Sequence, residues 1–197
     1  MRIPFIPKVD DLAESGVDRG LWTYIEDSRG GSAFLFAGAI FWFAVSATAL
    51  LGDDEWVNVL LYGGVFVPVV GWAIARSQGA RLFSDVRYAS LAALAVATEL
   101  AALPVMFLLR DTRPGVLVAI LMIADGAHLL IFMWLHLDYW YFLAANTKIV
   151  LGVTFLFGAL VEDSPAAQAT SSGVVSLVVA PLIWRDSRRT STLYHRR

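Results

Sequence analysis

The chain has 197 residues, of which 58% are hydrophobic and 16% charged, with a net charge of −2 and a mean hydropathy of +0.65. A soluble domain is about 45–50% apolar and about 25% charged, so this composition predicts that lipid surrounds many of the apolar side chains. The near-neutral charge argues against a nucleic-acid-binding protein. The absence of cysteine excludes disulfides, thiolate metal sites and a cysteine nucleophile.

Residues 1–32 are predicted to form a cytoplasmic leader. They carry six acidic residues and no central apolar block, so they do not have the pattern of a cleavable signal. Part of this leader could form a short helix resting on the bilayer surface, although two glycines weaken a helix there. The apolar face of that helix would comprise Val9, Leu12, Val17, Leu21, Trp22 and Ile25.

Six apolar runs follow, each about long enough to cross ~30 Å of hydrocarbon at about 1.5 Å per residue. They predict an all-α membrane protein with a single six-helix transmembrane domain over residues 33–184 and a basic cytoplasmic tail over residues 185–197. The first five runs are Ala33–Leu51, Val57–Ala75, Ala89–Leu109, Val116–Leu137 and Tyr139–Val161. The strongly apolar part of the sixth, Val174–Trp184, is too short to cross alone, and the run reaches a spanning length only if it begins at Ala166.

The distribution of basic residues predicts the orientation. Twelve of the fifteen Lys and Arg residues lie in the leader, between the second and third helices, or in the tail. Of the other three, Arg110 and Arg113 lie between the third and fourth helices, on the opposite side, and Lys148 lies inside the fifth helix. Because cytoplasmic segments of membrane proteins carry the excess of basic residues, we expect both termini to be cytoplasmic.

Four ionisable residues lie deep within the apolar runs, away from their ends: Glu99, Asp125, His128 and Lys148. A charge at the centre of the bilayer costs about 2.5–3.5 kcal/mol even on the milder scale, so such residues usually face the bundle interior and find partners. All four lie about 13–18 Å from the cytoplasmic ends of their helices, which predicts a single polar layer near the midplane. Asp125 and His128 share a helix face, and the short turn at Asp138 places His128 opposite Lys148.

We expect helices three, four and five to form the core around this layer. The layer is predicted to bind a ligand or a proton, because interhelical polar contacts stabilise membrane proteins by only about 0.6 kcal/mol on average and do not explain four such residues. An ion-pair network that only locks the helices together is the structural alternative. The candidate binding residues are His128, Asp125, Lys148, Glu99, Asn146 and His136.

A metal site is a weaker alternative. Asp125 and His128 have ligand spacing on a helix, and His136 follows two turns later, but His136 would lie about 12 Å from His128 along the axis. Zinc needs three or four ligands in a tight cluster. We therefore expect no metal and no cofactor, and since no serine pairs with a base in a recognisable context, an enzyme is not the favoured class.

Proline and glycine interrupt several of the helices. Pro68, Pro104 and Pro181 lie inside three of them, and Gly63 and Gly64 precede Pro68. Both residue types are commoner in membrane helices than in soluble ones, so ordinary kinks explain them. Alternatively, the kinked segments line a cavity beside the polar layer.

The stretch Gly126-Ala127-His128-Leu129-Leu130-Ile131-Phe132-Met133-Trp134 resembles the fourth helix of an uncharacterised family of small six-helix bacterial membrane proteins. In that family a Gly-Ala-His-Leu-Leu-x-aromatic-x-Trp motif has proline where this chain has Ile131. The segment Tyr62–Pro68 is similar to the family's second helix, and the resemblance covers roughly residues 33–160. It implies the six-helix architecture and a location in a bacterial inner membrane, singles out His128 and implies no reaction.

Three functional classes are left open. The first is a small transporter or permeation protein that binds a proton, an ion or a small polar solute at the polar layer. The second is a non-catalytic interaction or accessory protein, and the third is an intramembrane enzyme using His128 and Asp125. A water-accessible cavity touching His128 would favour the first or the third class, and a dry layer the second. The expected partners are the lipid bilayer and a small solute or ion, while a homo-oligomer is not indicated.

Overall fold

A computed structural model describes residues 19–52, 54–158 and 164–194. These residues form helices, short 3-10 segments and turns, with no strand among them. The α-helices are α1 (Arg19–Asp27), α2 (Ser32–Leu50), α3 (Asp54–Gly63), α4 (Val67–Ser77), α5 (Val86–Leu100), α6 (Ala102–Leu108), α7 (Pro114–His136), α8 (Tyr139–Gly158) and α9 (Pro165–Tyr194).

Six helical segments are long and apolar enough to cross a membrane, which confirms the predicted all-α, six-span architecture. The first, fourth, fifth and sixth spans consist mainly of α2, α7, α8 and α9, while α3 with α4 and α5 with α6 make the second and third. The sixth span, the weakest in the sequence, is part of a continuous helix that runs past the predicted boundary at residue 184 to Tyr194. The last predicted residues of the fifth span, 159–161, lie outside the described residues.

The N-terminal helix α1 packs against one end of the bundle. Trp22 and Ile25 are buried and contact Leu137, and the Arg81 backbone N–H donates a 2.8 Å hydrogen bond to the Asp27 carbonyl. The face predicted to rest on lipid therefore covers protein along α1. Val9, Leu12 and Val17 lie outside the described residues.

The segments that were predicted to be cytoplasmic meet at this end. It is formed by residues 19–31, 77–85 and 136–140 together with the C-terminal part of α9, and we call it the basic end. Two further hydrogen bonds tie it together: Tyr141 Oη donates to the Gly30 carbonyl at 2.7 Å, and Trp140 Nε1 donates to Asp186 Oδ2 at 2.9 Å.

The core differs from the predicted one. The fourth span packs most closely on the fifth and the first on the sixth, whereas the third span is the most exposed of the six. The expectation of a core made by spans three, four and five is therefore wrong for the third span. It rested on the positions of ionisable residues, and it overlooked the neutral partners that the first and sixth spans contribute.

Two spans are broken at glycine or proline. The second changes to a 3-10 turn over Gly64–Phe66, and Pro68 then lies in the first turn of α4, where a missing N–H costs nothing. The third span is interrupted at Ala101, three residues before Pro104. Pro181, in contrast, lies inside the continuous helix α9.

Candidate functional site

An ion pair between the fourth and fifth spans forms the centre of the polar layer. Lys148 Nζ lies 2.5 Å from Asp125 Oδ2 and also donates to Ser176 Oγ at 2.7 Å. Trp42 Nε1 donates to the same Asp125 oxygen at 2.7 Å. Only 1% of the Lys148 side chain and 10% of the Asp125 side chain are exposed. Two spans thus supply a buried pair whose charges compensate each other, as a low-dielectric environment requires, and two further spans supply its hydrogen-bonding partners.

Close packing of two helices brings this pair together. At Gly126, an added Cβ would lie 2.8 Å from the Ala145 carbonyl oxygen and 3.0 Å from the Ile149 nitrogen. At Gly152, it would lie 3.1 Å from the Ala119 carbonyl oxygen. Gly126 directly follows Asp125 on the fourth span, and Gly152 lies one helical turn after Lys148 on the fifth. Because neither glycine has a side chain, the two helix backbones approach closely, and Lys148 can reach Asp125.

Glu99 and His128 form a second, looser part of the layer. His128 Nδ1 lies 3.4 Å from Glu99 Oε2 and 3.7 Å from Asp125 Oδ1, and no hydrogen bond reaches this nitrogen from the described residues. The His128 side chain is 11% exposed and that of Glu99 28% exposed. A buried ring nitrogen between two carboxylate oxygens is unfavourable unless a proton or another cation lies between them.

A cavity of about 440 Å³ leads to this layer. Glu99, Asp125, His128 and Lys148 all contribute to its lining, and it extends from them to Leu82 at the basic end. Its remaining lining is largely aromatic and aliphatic and comes mainly from the first four spans. The kinked second span forms part of the wall through residues 67–69. This favours the interpretation that the segment kinked at its glycine and proline residues lines a cavity beside the polar layer.

The six sequence-predicted candidates are not all brought together. Four meet in the layer, where Lys148, which was expected to lie opposite His128, contacts Asp125 and Ser176. His136 lines the cavity near the basic end and forms an aromatic cluster with Phe132 and Tyr141, at ring-centroid distances of 5.8 and 5.4 Å.

The remaining candidate, Asn146, lies apart from the layer. Its Nδ2 donates to the carbonyl of Phe142 in its own helix, and it does not belong to the cavity lining. An amide can satisfy itself on the backbone four residues earlier, so its presence in a span did not require an interhelical partner.

Sequence reasoning missed two members of the layer, Trp42 and Ser176. Trp42 carried a usable signal, because tryptophan in membrane proteins is enriched at the interfaces and Trp42 lies in the middle of the first span. A buried indole N–H needs an acceptor. Ser176 carried none, since it is one of several small hydroxyl residues in its span.

A possible set of metal ligands also differs from the predicted one. Oxygen atoms of Glu99 and Asp125 and a ring nitrogen of His128 lie within 4.8 Å of one another. His136 is not part of this group. The Lys148 ammonium against Asp125 already neutralises one carboxylate and repels a second cation, which works against a divalent ion.

At the basic end the cavity is bordered by Tyr24 and His136. Burial raises the pKa of the Tyr24 phenol to about 12, so this side chain is uncharged at neutral pH. Tyr24 stacks on His136 at 5.7 Å, and both rings are almost completely buried. This part of the wall is therefore rigid and aromatic, and the charged groups of the cavity are concentrated at its deep end.

Residues 22–186 match the sequence model of DUF7010, a family of unknown function. The match reaches from α1 through nearly all of the sixth span. It is therefore longer than the stretch of roughly residues 33–160 over which the sequence resembles the six-helix family. No significant match was found among curated proteins or solved structures. An uncharacterised six-helix family was the expectation, and it is confirmed, while the proposed motif around His128 stays a prediction.

Proposed function

The chain belongs to DUF7010, a family of unknown function, and we propose that it is a small transporter or permeation protein that binds a proton, an ion or a small polar solute at its polar layer. The observation that carries this proposal is the 440 Å³ cavity that ends at Glu99 and His128. A layer that served only to hold helices together would be expected to be closed.

The distribution of partners within the layer supports a binding role for part of it. Lys148 and Asp125 compensate each other, and Trp42 and Ser176 complete their hydrogen bonds. Glu99 and His128 have no comparable set of partners and lie on the cavity surface. Ionisable residues in this position in membrane proteins mark solute and proton paths.

The broken second span supplies a route for conformational change. Its 3-10 turn at Gly64–Phe66 separates two shorter helices, and residues 67–69 line the cavity next to the break. Broken helices lining a cavity are a recurring feature of transporters, where they let part of a span move without unfolding the rest. We place the hinge of any opening motion at Gly63 and Gly64.

For the location, we propose the inner membrane of a bacterial cell, as the family resemblance implies, with both termini cytoplasmic. The cavity would then open towards the cytoplasm, because its lining extends to the basic end. Excess positive charge in cytoplasmic segments supports this orientation.

The accessory role is the second candidate, and the compensated cluster of Lys148, Asp125, Trp42 and Ser176 favours it. Such a cluster is what a purely structural layer would contain. The two candidate functions differ at Glu99 and His128. A binding site needs both side chains, whereas a purely structural layer does not.

The test is proton flux into liposomes that contain the purified protein and a trapped pH-sensitive dye, with a pH gradient and a panel of inorganic cations and small polar solutes. We expect flux with the wild type, and a reduction of at least about tenfold in both Glu99→Gln and His128→Ala, equal to about 1.4 kcal/mol. Asp111→Asn, in an exposed loop at the opposite end, is the matched control and should leave flux unchanged. Flux that persists in both layer variants would contradict the proposal, and folded, inserted protein without flux would favour the accessory role.

A further inference from the structure

The aromatic lining of the cavity indicates what kind of molecule it holds. Phe34, Phe41, Trp72, Phe83 and Phe132 contribute to the lining, from four different parts of the chain. A single inorganic ion or a proton would occupy only a small fraction of about 440 Å³ and would leave most of this apolar wall without a ligand against it. Pockets lined by aromatic groups with a few polar groups at one end are typical sites for organic ligands.

The charges at the deep end of the cavity indicate the sign of the ligand. The layer contains two carboxyl groups and one ammonium group, and Lys148 is in contact with Asp125. Glu99 is left with His128 as its nearest basic group, at 3.4 Å, and is the most exposed of the four side chains. With a neutral imidazole, the layer carries one uncompensated negative charge in a low-dielectric environment, which one positive charge must balance.

One monovalent cation satisfies both observations. Ammonium groups are attracted to carboxylates and to the faces of aromatic rings. We infer that the cavity binds a small protonated organic amine, with its ammonium group at Glu99 and its apolar body against the aromatic wall. This inference rests on the proposed function and specifies the class of solute.

Binding of the amine should release a proton. In the empty protein, the proton that balances the layer is shared between Glu99 Oε2 and His128 Nδ1, which face each other. When an ammonium group takes its place, that proton leaves to the solvent buffer, so that one positive charge enters and one departs. The protein would therefore exchange an amine for a proton without changing the net charge of the layer.

Calorimetric titration of the purified protein in detergent micelles tests this inference. The probe is phenethylamine, and phenethyl alcohol is its neutral counterpart of nearly the same shape. We expect saturable binding of the amine, with the alcohol at least about tenfold weaker. Repeating the titration in phosphate and in HEPES, neither of which is a small organic amine with a net positive charge, should show a difference in measured enthalpy, because the two buffers take up the released proton with different heats.

Two variants locate the contact. Glu99→Gln keeps the size of the side chain and removes its charge, so it should weaken amine binding at least about tenfold and abolish the dependence on buffer. Glu55→Gln, in the exposed first turn of α3, is the matched control and should bind the amine as the wild type does. The comparison of amine with alcohol needs no variant, so it holds even if Glu99→Gln does not fold.

Several results would overturn the inference. Equal binding of the alcohol would show that only apolar surface is recognised, and unchanged amine binding in Glu99→Gln would place the ammonium group elsewhere. Binding of Zn²⁺ alone that depends on Glu99, without amine binding, would identify a metal site instead. If no amine binds but Glu99-dependent proton flux is present in liposomes, the amine is excluded and the proposed function stands. If neither amine binding nor Glu99-dependent proton flux is found, the amine inference and the proposed function are both rejected.

Discussion

Lys148 shows how a charged side chain is accommodated inside this bundle. Its side chain is 1% exposed, and its ammonium group contacts Asp125 and Ser176 and lies 6.0 Å from the centre of the Trp42 ring. Every one of these partners comes from a different span. The pair is therefore held by tertiary structure, and each partner depends on the presence of the other.

A double-mutant cycle on this pair gives the first residue-scale prediction. Lys148→Met or Asp125→Asn alone should destabilise the protein by about 3–5 kcal/mol, because each leaves a buried group without its counter-charge. The double variant should cost less than the sum of the two single variants, since the uncompensated charge is absent. Unfolding by titration with a denaturing detergent provides the free energies.

The control for this cycle is the pair Asp85–Arg87 at the basic end, whose Arg87 side chain is 66% exposed. Arg87 lowers the pKa of Asp85 through their hydrogen bond, yet an exposed pair of this kind contributes little to stability because solvent screens it. Additive losses at Lys148 and Asp125 would contradict the contact seen in the structure.

At the scale of helices, the fourth and fifth spans depend on two glycines at their contact. Gly126 and Gly152 face the backbone of the opposite helix, and a methyl group at either position would lie within 3.2 Å of backbone atoms. Helix backbones cannot move aside as a flexible side chain can. The glycines thus set the distance between the two helices, and this distance decides whether Lys148 reaches Asp125.

Replacing either glycine should consequently weaken the contact between these spans. We expect Gly126→Ala and Gly152→Ala to destabilise the protein by about 1–3 kcal/mol, the usual cost of overpacking. Gly158→Ala, at the end of the same helix α8, has nothing within 4 Å of the added methyl group and is the matched control. The measurement is again detergent-induced unfolding. A destabilisation at Gly158 equal to that at Gly126 would contradict the role of packing, because helix propensity alone favours alanine over glycine.

At the scale of the whole molecule, the alternation of spans separates two ends with different chemistry. The basic end contains α1, the segment between the second and third spans, and the C-terminal part of α9. Of the eleven Lys and Arg residues in the described part of the chain, eight lie there or at the adjoining helix ends. Asp54 and Glu55 lie at the opposite end. The structure establishes which segments share an end, and the excess of basic residues predicts the side of the membrane on which each end lies.

Accessibility labelling in intact cells tests this orientation. The chain has no cysteine, so single cysteines can be introduced without background. Asp54→Cys should react with a membrane-impermeant thiol reagent, and Ser84→Cys, which is also exposed, should react only after the membrane is permeabilised. The reverse pattern would place the termini outside the cytoplasm.

Much of the fold could be predicted because the spans are local properties of the chain. Hydrocarbon thickness and the rise of a helix relate length to span number. The same rise gives the depth of each residue, which is why Glu99, Asp125, His128 and Lys148 were expected at one level before any contact was known. Helix ends were predicted less well, as the continuation of α9 to Tyr194 shows.

Only the tertiary structure decided which spans are neighbours and which side chains meet. The third span supplies Glu99 but lies at the edge of the bundle, while Trp42 and Ser176 join the layer from the first and sixth spans. The physical reason is that depth follows from position along one helix, whereas lateral placement depends on close contacts such as those of Gly126 and Gly152 between segments far apart in the chain. The cavity results from this lateral arrangement, since it is the space that four spans leave open beside a layer whose depth the sequence alone had determined.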